Sequence, residues 1–105
     1  MKNFETIKKI VDTINNRLNE ERIYEEAFWR TDEGTTDYQI EISIDRGDWK
    51  HDHLRVKHII REVLGNNLKG EHEVVTDEDG SDCYSAIHYF TTNIKYKDHL
   101  VFELG

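Results

Sequence analysis

Histidine and carboxylate crowd together in "DWKHDHLRVKH", where Asp48, His51, Asp52, His53 and His58 fall within eleven residues. These are the residue types that hold a divalent metal. Their spacing opposes one site. On a helix, His51 and His58 lie on the polar face and His53 on the apolar stripe. Seven residues are two turns, about 10 Å, too far for one ion without a third element. The zincin pattern of His at i and i+4 with an intervening Glu is absent. His51, Asp52 and His58 stay as metal candidates on a segment that otherwise reads as a solvated helix with His53 at the core edge.

The second cluster is "TDEDGSDCY", Thr76 to Tyr84. Asp77, Asp79 and Asp82 around Gly80 resemble Ca²⁺ donors, but the EF-hand order fails. Glycine falls at the fourth loop position rather than the sixth, and the twelfth position is His88 rather than Glu. An Asp-Gly hairpin turn explains the stretch with less. Cys83, the single cysteine, could pair with His88 as a nucleophile. Residues five apart on a strand point to opposite faces, so it instead reads as a small buried side chain. Adjacent Glu25 and Glu26 diverge for a similar reason. No glycine-rich phosphate loop, CxxC or nucleophile elbow is present. The expectation is a protein without catalysis and without a cofactor.

Composition narrows the partners. The 105 residues carry 22 Asp and Glu against 14 Lys and Arg, a formal charge of −8. Phosphate backbones and anionic membranes repel such a surface, so neither nucleic acid nor membrane is expected as a direct partner. A basic protein surface is the natural complement. One cysteine allows no intrachain disulfide. "MKNFETIKKIVDTI" lacks the apolar run of a signal peptide, and no stretch approaches the roughly 20 apolar residues of a membrane helix. The cytosol is the expected compartment.

The elements follow from periodicity. Phe4, Ile7, Val11, Ile14 and Leu18 form one helical face, with Asn3 as N-cap. "RIYEEAFWR", 22–30, reads as a strand of ambiguous face, since Ile23, Ala27 and Trp29 share one parity and Tyr24 and Phe28 the other. "DYQIEISID" alternates cleanly, with Tyr38, Ile40, Ile42 and Ile44 inward and Asp37, Gln39, Glu41, Ser43 and Asp45 outward. Asp48 then caps a second helix whose apolar stripe is Trp49, His53, Val56, Ile60, Val63 and Leu64, with Ile59 and Leu68 at its margins. "LGNN" ends it. Strands follow at 71–77 and 82–92. "IKYKDHLVFEL" alternates from Ile94 to Leu104 as a fifth strand or an extended tail. The aromatic residues are expected to supply most of the core; exposed on a wet sheet face, they would instead mark an interface.

A first acidic turn, "TDEGTTDY", echoes the second 45 residues earlier, and "NNRL" and "WKHDHL" are echoed by "NNL" and "YKDHL". The pattern predicts one α+β domain over 1–105 built as a tandem αββ-αββ duplication, with units of about 3–45 and 48–93 and a tail over 94–105. The expected sheet is antiparallel, with four or five strands and two helices packed on one face. The expected function is a protein-binding or inhibitory module engaging a basic surface through the hairpin tips, with Asp32, Glu33, Asp37, Asp77, Glu78, Asp79 and Asp82 as contacts. The alternatives are a small-molecule or metal site at the second-helix histidines, or a structural domain that forms a homodimer through a free sheet edge.

Overall fold

The computed structural model describes residues 2–32, 34–44, 49–78 and 84–96. In order these are α1 (Lys2–Glu20), β1 (Ala27–Arg30), β2 (Asp37–Ile44), α2 (Trp49–Leu64), a short 3₁₀ turn (Gly65–Asn67), β3 (Leu68–Glu78) and β4 (Tyr84–Lys95). The strands form one antiparallel sheet in the order β1-β2-β4-β3. The architecture is α+β, with two helices and four strands. No described helix is long and apolar enough to cross a membrane.

The sheet register sorts side chains by parity. Ile40 lies opposite Phe90, Ile42 opposite His88 and Ile44 opposite Ala86. Even-numbered residues of the two central strands therefore share one face. They join a single apolar cluster with Ile7, Val11, Ile14 and Leu18 of α1 and Val56, Ile59, Ile60 and Leu64 of α2. Ile59, expected at the margin of its helix, is fully inside at 1% exposure. Two ion pairs connect α2 to α1 and the turn after it, Arg17 to Glu62 at 2.9 Å and Arg55 to Glu21 at 2.6 Å.

Several boundaries differ from those read in the sequence, each for a local reason. Asn3 is not a cap; it lies inside α1 and its side-chain amide donates to the Lys95 carbonyl at 2.8 Å. β1 begins at Ala27 rather than Arg22, because α1 ends in a Schellman motif that uses the preceding residues. Ile23 N–H donates to the Leu18 carbonyl at 2.9 Å and Arg22 N–H to the Asn19 carbonyl at 3.0 Å. Arg22 takes the left-handed position, φ 60°, and buried Ile23 sits with buried Leu18 as that motif favours. The expected fifth strand begins inside β4: Ile94 and Lys95 complete that strand, Tyr96 bends away, and 97–105 lie outside the described residues, as do Asp45 and Asp48.

The aromatic core is the larger correction. Among the described residues the interior is mostly isoleucine, leucine and valine, with Phe90 and Tyr38 as its aromatics; the side chains of Trp49 and Tyr84 lie outside the described residues. Tyr24, Phe28 and Trp29 are exposed instead. Ile23, Ala27 and Trp29 do share the parity of the core, which leaves Tyr24 and Phe28 to solvent.

Arg22 is a side-chain-bearing residue in a conformation that costs about 1 kcal/mol or more for any residue with a Cβ. Glycine there relieves that strain and loses part of the gain to its freer unfolded chain. Arg22→Gly is expected to raise the unfolding free energy by about 0.5–1 kcal/mol in urea titration, whereas Arg22→Val is expected to lower it.

Candidate interaction surface

The acidic residues of the first turn are engaged within the chain. The Asp32 carboxylate accepts the Gly34 N–H at 3.1 Å, and its carbonyl accepts the Thr35 N–H at 3.0 Å. The Tyr96 hydroxyl donates to the Asp32 carbonyl and, at 3.0 Å, to that of Thr35. Asp32 is thus a turn-forming residue that remains exposed. Glu33 lies outside the described residues.

Asp37, expected on the wet face of β2 and among the partner contacts, is 3% exposed. Lys69 of β3 donates to its Oδ2 at 2.6 Å, and the Lys95 ammonium lies 2.9 Å from Oδ1 as a charge contact without hydrogen-bond geometry. β2 is a central strand, so long side chains from its neighbours close over this position. Gln39 is buried likewise, beside Thr91 at 3.3 Å. Burial alone would raise the Asp37 pKa; the Lys69 hydrogen bond and the two lysine charges more than reverse it and hold it below its ordinary value.

Of the second tip, Asp77 and Glu78 fall at the end of β3, opposite Ser85 and Tyr84. Their side chains, and all of Asp79 and Asp82, lie outside the described residues. The same holds for Cys83 and for the side chains of His51, Asp52 and His53 on α2. His58 is exposed, with Nε2 2.8 Å from the Glu62 carboxylate. Glu62 also accepts from Arg17, whose hydrogen bond is the main reason its pKa falls below the ordinary value. Among the described residues no group of three His, Cys, Asp or Glu is placed to hold a metal ion.

A different surface gathers apolar exposure. Six large apolar side chains are exposed among the described residues, and four of them, Phe4, Tyr24, Phe28 and Trp29, lie on α1, on β1 or on the segment leading into β1. β1 is an edge strand. Its Ala27 turns both main-chain groups to the Asn15 side chain, which donates to the Ala27 carbonyl at 3.0 Å and accepts the Ala27 N–H at 2.7 Å. An amide side chain so placed stands in for a neighbouring strand. Trp29 packs edge-to-face between Phe4 and Tyr38, with ring centroids 5.3 and 5.8 Å away. Between α1 and β1 runs an open groove of about 410 Å³, lined by Val11, Ala27, Phe28 and Trp29 and by Lys8, Asp12, Asn15 and Glu26. Both Asp12 and Glu26 are exposed.

The odd-numbered face of the sheet carries a cross-strand ladder. The Arg30 guanidinium lies 5.2 Å from the Tyr89 ring centre, and His72 stacks on the same ring at 4.9 Å. Arg30 also reaches Glu41 at 3.4 Å. Phe28 and Val74 remain exposed on this face. The sequence left open which aromatics face water, because a four-residue edge strand shows too little alternation to decide it.

No protein-family model, curated protein or solved structure matches the chain.

The Asp37 cluster gives a test with a defined sign. A carboxylate whose folded pKa lies below its unfolded value of about 3.9 stabilises the fold above that value. The contribution disappears as pH falls through the folded pKa. Asp37→Asn is expected to cost about 2 kcal/mol at pH 7, the size of a hydrogen bond to a charged group. Urea unfolding at pH 7 and at pH 3 should show that gap narrowing at the lower pH.

Proposed function

We propose that this chain is a non-enzymatic protein-binding or inhibitory module that seats a basic surface of another protein on the groove between α1 and β1. The concentration of exposed aromatic side chains around that groove is the observation that carries this reading. Rigid aromatics bury large area at small entropic cost and dominate binding hot spots. Asp12 and Glu26 on the rim supply charge for a partner's lysine or arginine, Trp29 offers its ring to the same cations, and Phe28, turned to the other face of β1, extends the apolar contact around the strand edge. The acidic turns, with Asp32, Glu33, Asp77, Glu78, Asp79 and Asp82, add to the field that steers a basic partner. The cytosol is the compartment we propose, on the single cysteine, which allows no intrachain disulfide.

The same proposal takes the fold as a duplicated αββ unit with both helices on one face. The order β1-β2-β4-β3, with β2 antiparallel to β4, is what a twofold axis between the two hairpins would produce. The shared core of α1, α2 and the even-numbered residues of β2 and β4 supports a common helix face.

A second reading rests on the unequal edges. β1 is short and capped by Asn15, whereas β3 runs for eleven residues with no described strand on its outer side. A second copy adding at β3 would make a homodimer. Light scattering decides this: a monomer at millimolar concentration removes it.

For the primary reading, immobilised protein is exposed to source-cell lysate at low salt and eluted with a salt gradient. The expected ligand is a basic protein released by salt, whose retention falls about tenfold or more for Phe28→Ser and for the pair Asp12→Asn with Glu26→Gln. These positions are exposed, so the variants should unfold within about 1 kcal/mol of wild type. A partner held equally by all three proteins, or indifferent to salt, defeats the proposal.

A further inference from the structure

Two rows on the core side of the sheet end in charge. One runs Ala27, Ile42, His88, Glu73; the next runs Trp29, Ile40, Phe90, Glu71. Alternation would place apolar residues throughout such rows. Instead β3 presents two carboxylates on this face, and the neighbouring strand carries a histidine at 1% exposure. Breaks in patterning of this kind are expected where a site overrides folding preference.

Glu71 is accounted for. Arg61 of α2 donates to it twice, Nε to Oε2 at 2.8 Å and Nη2 to Oε1 at 2.6 Å. That pairing is the main reason its pKa lies below the ordinary value. One turn earlier on α2 stands Lys57, half-buried, four residues before Arg61 and so on the same helix face. Across from it are Glu73, exposed on β3, and His88, its direct cross-strand neighbour. Lys57, Glu73, His88 and Phe90 line a recess of about 200 Å³ together with Glu71 and His72.

The recess is smaller than the ~300–1,000 Å³ of sites for drug-sized ligands or nucleotides. With Arg61 and Glu71 neutralising one another, it offers one cation, Lys57, whose charge also reaches Glu71, one anion, Glu73, and two imidazoles, buried His88 and exposed His72. A lone anion would meet Glu73, and a lone cation would meet Lys57. A small molecule carrying both charges satisfies the pair. We infer that the recess between α2 and β3 binds a free α-amino acid, with its carboxylate at Lys57 and its ammonium at Glu73, and with His88 and Phe90 at the buried end. This site shares no residue with the α1–β1 groove and stands independently of the function proposed there.

The test is titration of the full chain with glycine, L-serine and L-glutamate, followed by amide chemical shifts and by melting temperature. Acetate and methylammonium, each carrying half of the ligand's charge, are the controls. Expected is saturable binding of at least one amino acid, about tenfold or more tighter than either control, with shifts concentrated at residues 57, 73 and 88. Lys57→Met and Glu73→Gln should each weaken it about tenfold while melting like wild type, since Glu73 is exposed and methionine keeps the half-buried stem of Lys57. Absence of saturable binding by all three amino acids overturns the inference. So does acetate binding as tightly as glycine, which makes this an anion site, or methylammonium doing so, which makes it a cation site.

Discussion

The antiparallel contact between β2 and β4 governs the molecule. It joins the two hairpins, and its register puts Ile40 against Phe90 and Ile42 against His88. A slip of one residue would turn every even-numbered side chain from the core to solvent. Near one end of this seam Asp37 faces Lys95 beside a register irregularity. A charge buried at that point, held from β4 by Lys95 and from β3 by Lys69, disfavours slipped pairings that would leave the carboxylate without its lysines. Tyr96 adds to the same corner, donating its main-chain N–H to the Thr36 carbonyl at 2.9 Å. The first acidic turn is consequently fastened to the end of β4, which makes it part of the scaffold before it can be a binding element.

What could be read from the sequence was what depends on neighbours within one or two turns of chain. Ile7, Val11, Ile14 and Leu18 declare their helix face, and Tyr38 to Ile44 declare their strand, because the period repeats several times. The order of helices and strands followed from these runs. What could not be read depends on distant partners. Nothing local to Asp37 announces Lys69 and Lys95, which lie 32 and 58 residues further on, so its alternation suggested water where the sheet supplies a closed ion pair. Arg22 gives no glycine signal for the left-handed turn it occupies. Lys57, Glu73 and His88 come from one helix and two strands and make no motif at all. His88 drew notice only as a possible partner for Cys83, a pairing based on closeness in sequence rather than in space.

The two edges of the sheet show the same constraint resolved in different ways. An edge strand must keep its main-chain groups from pairing with another molecule. β1 does so with an amide side chain on Ala27 and with its short length, and it then carries the aromatics Phe28 and Trp29 beside the shielded backbone. Side chains are the more accessible recognition element at that edge. β3 instead carries Lys69, Glu71, His72 and Glu73 in close succession, a charged edge of the kind that discourages aggregation. Three of these residues, Glu71, His72 and Glu73, also border the recess beside α2.

Charge distribution joins these features into one argument about partners. Four of the six arginines, Arg17, Arg30, Arg55 and Arg61, lie in ion pairs within the chain, and Lys69 and Lys95 are both taken by Asp37. Mostly exposed, the arginine pairs add little stability. Each pair neutralises one cation and one carboxylate, so the excess of acidic over basic residues is left unchanged. With 22 acidic residues against 14 basic ones, the chain carries a formal net charge of −8. On the function proposed above, that excess of carboxylates is what would draw a basic partner. In that proposal the exposed aromatics of β1 would fix the docking position, since diffuse charge attracts from any direction but only buried apolar area fixes where contact is made.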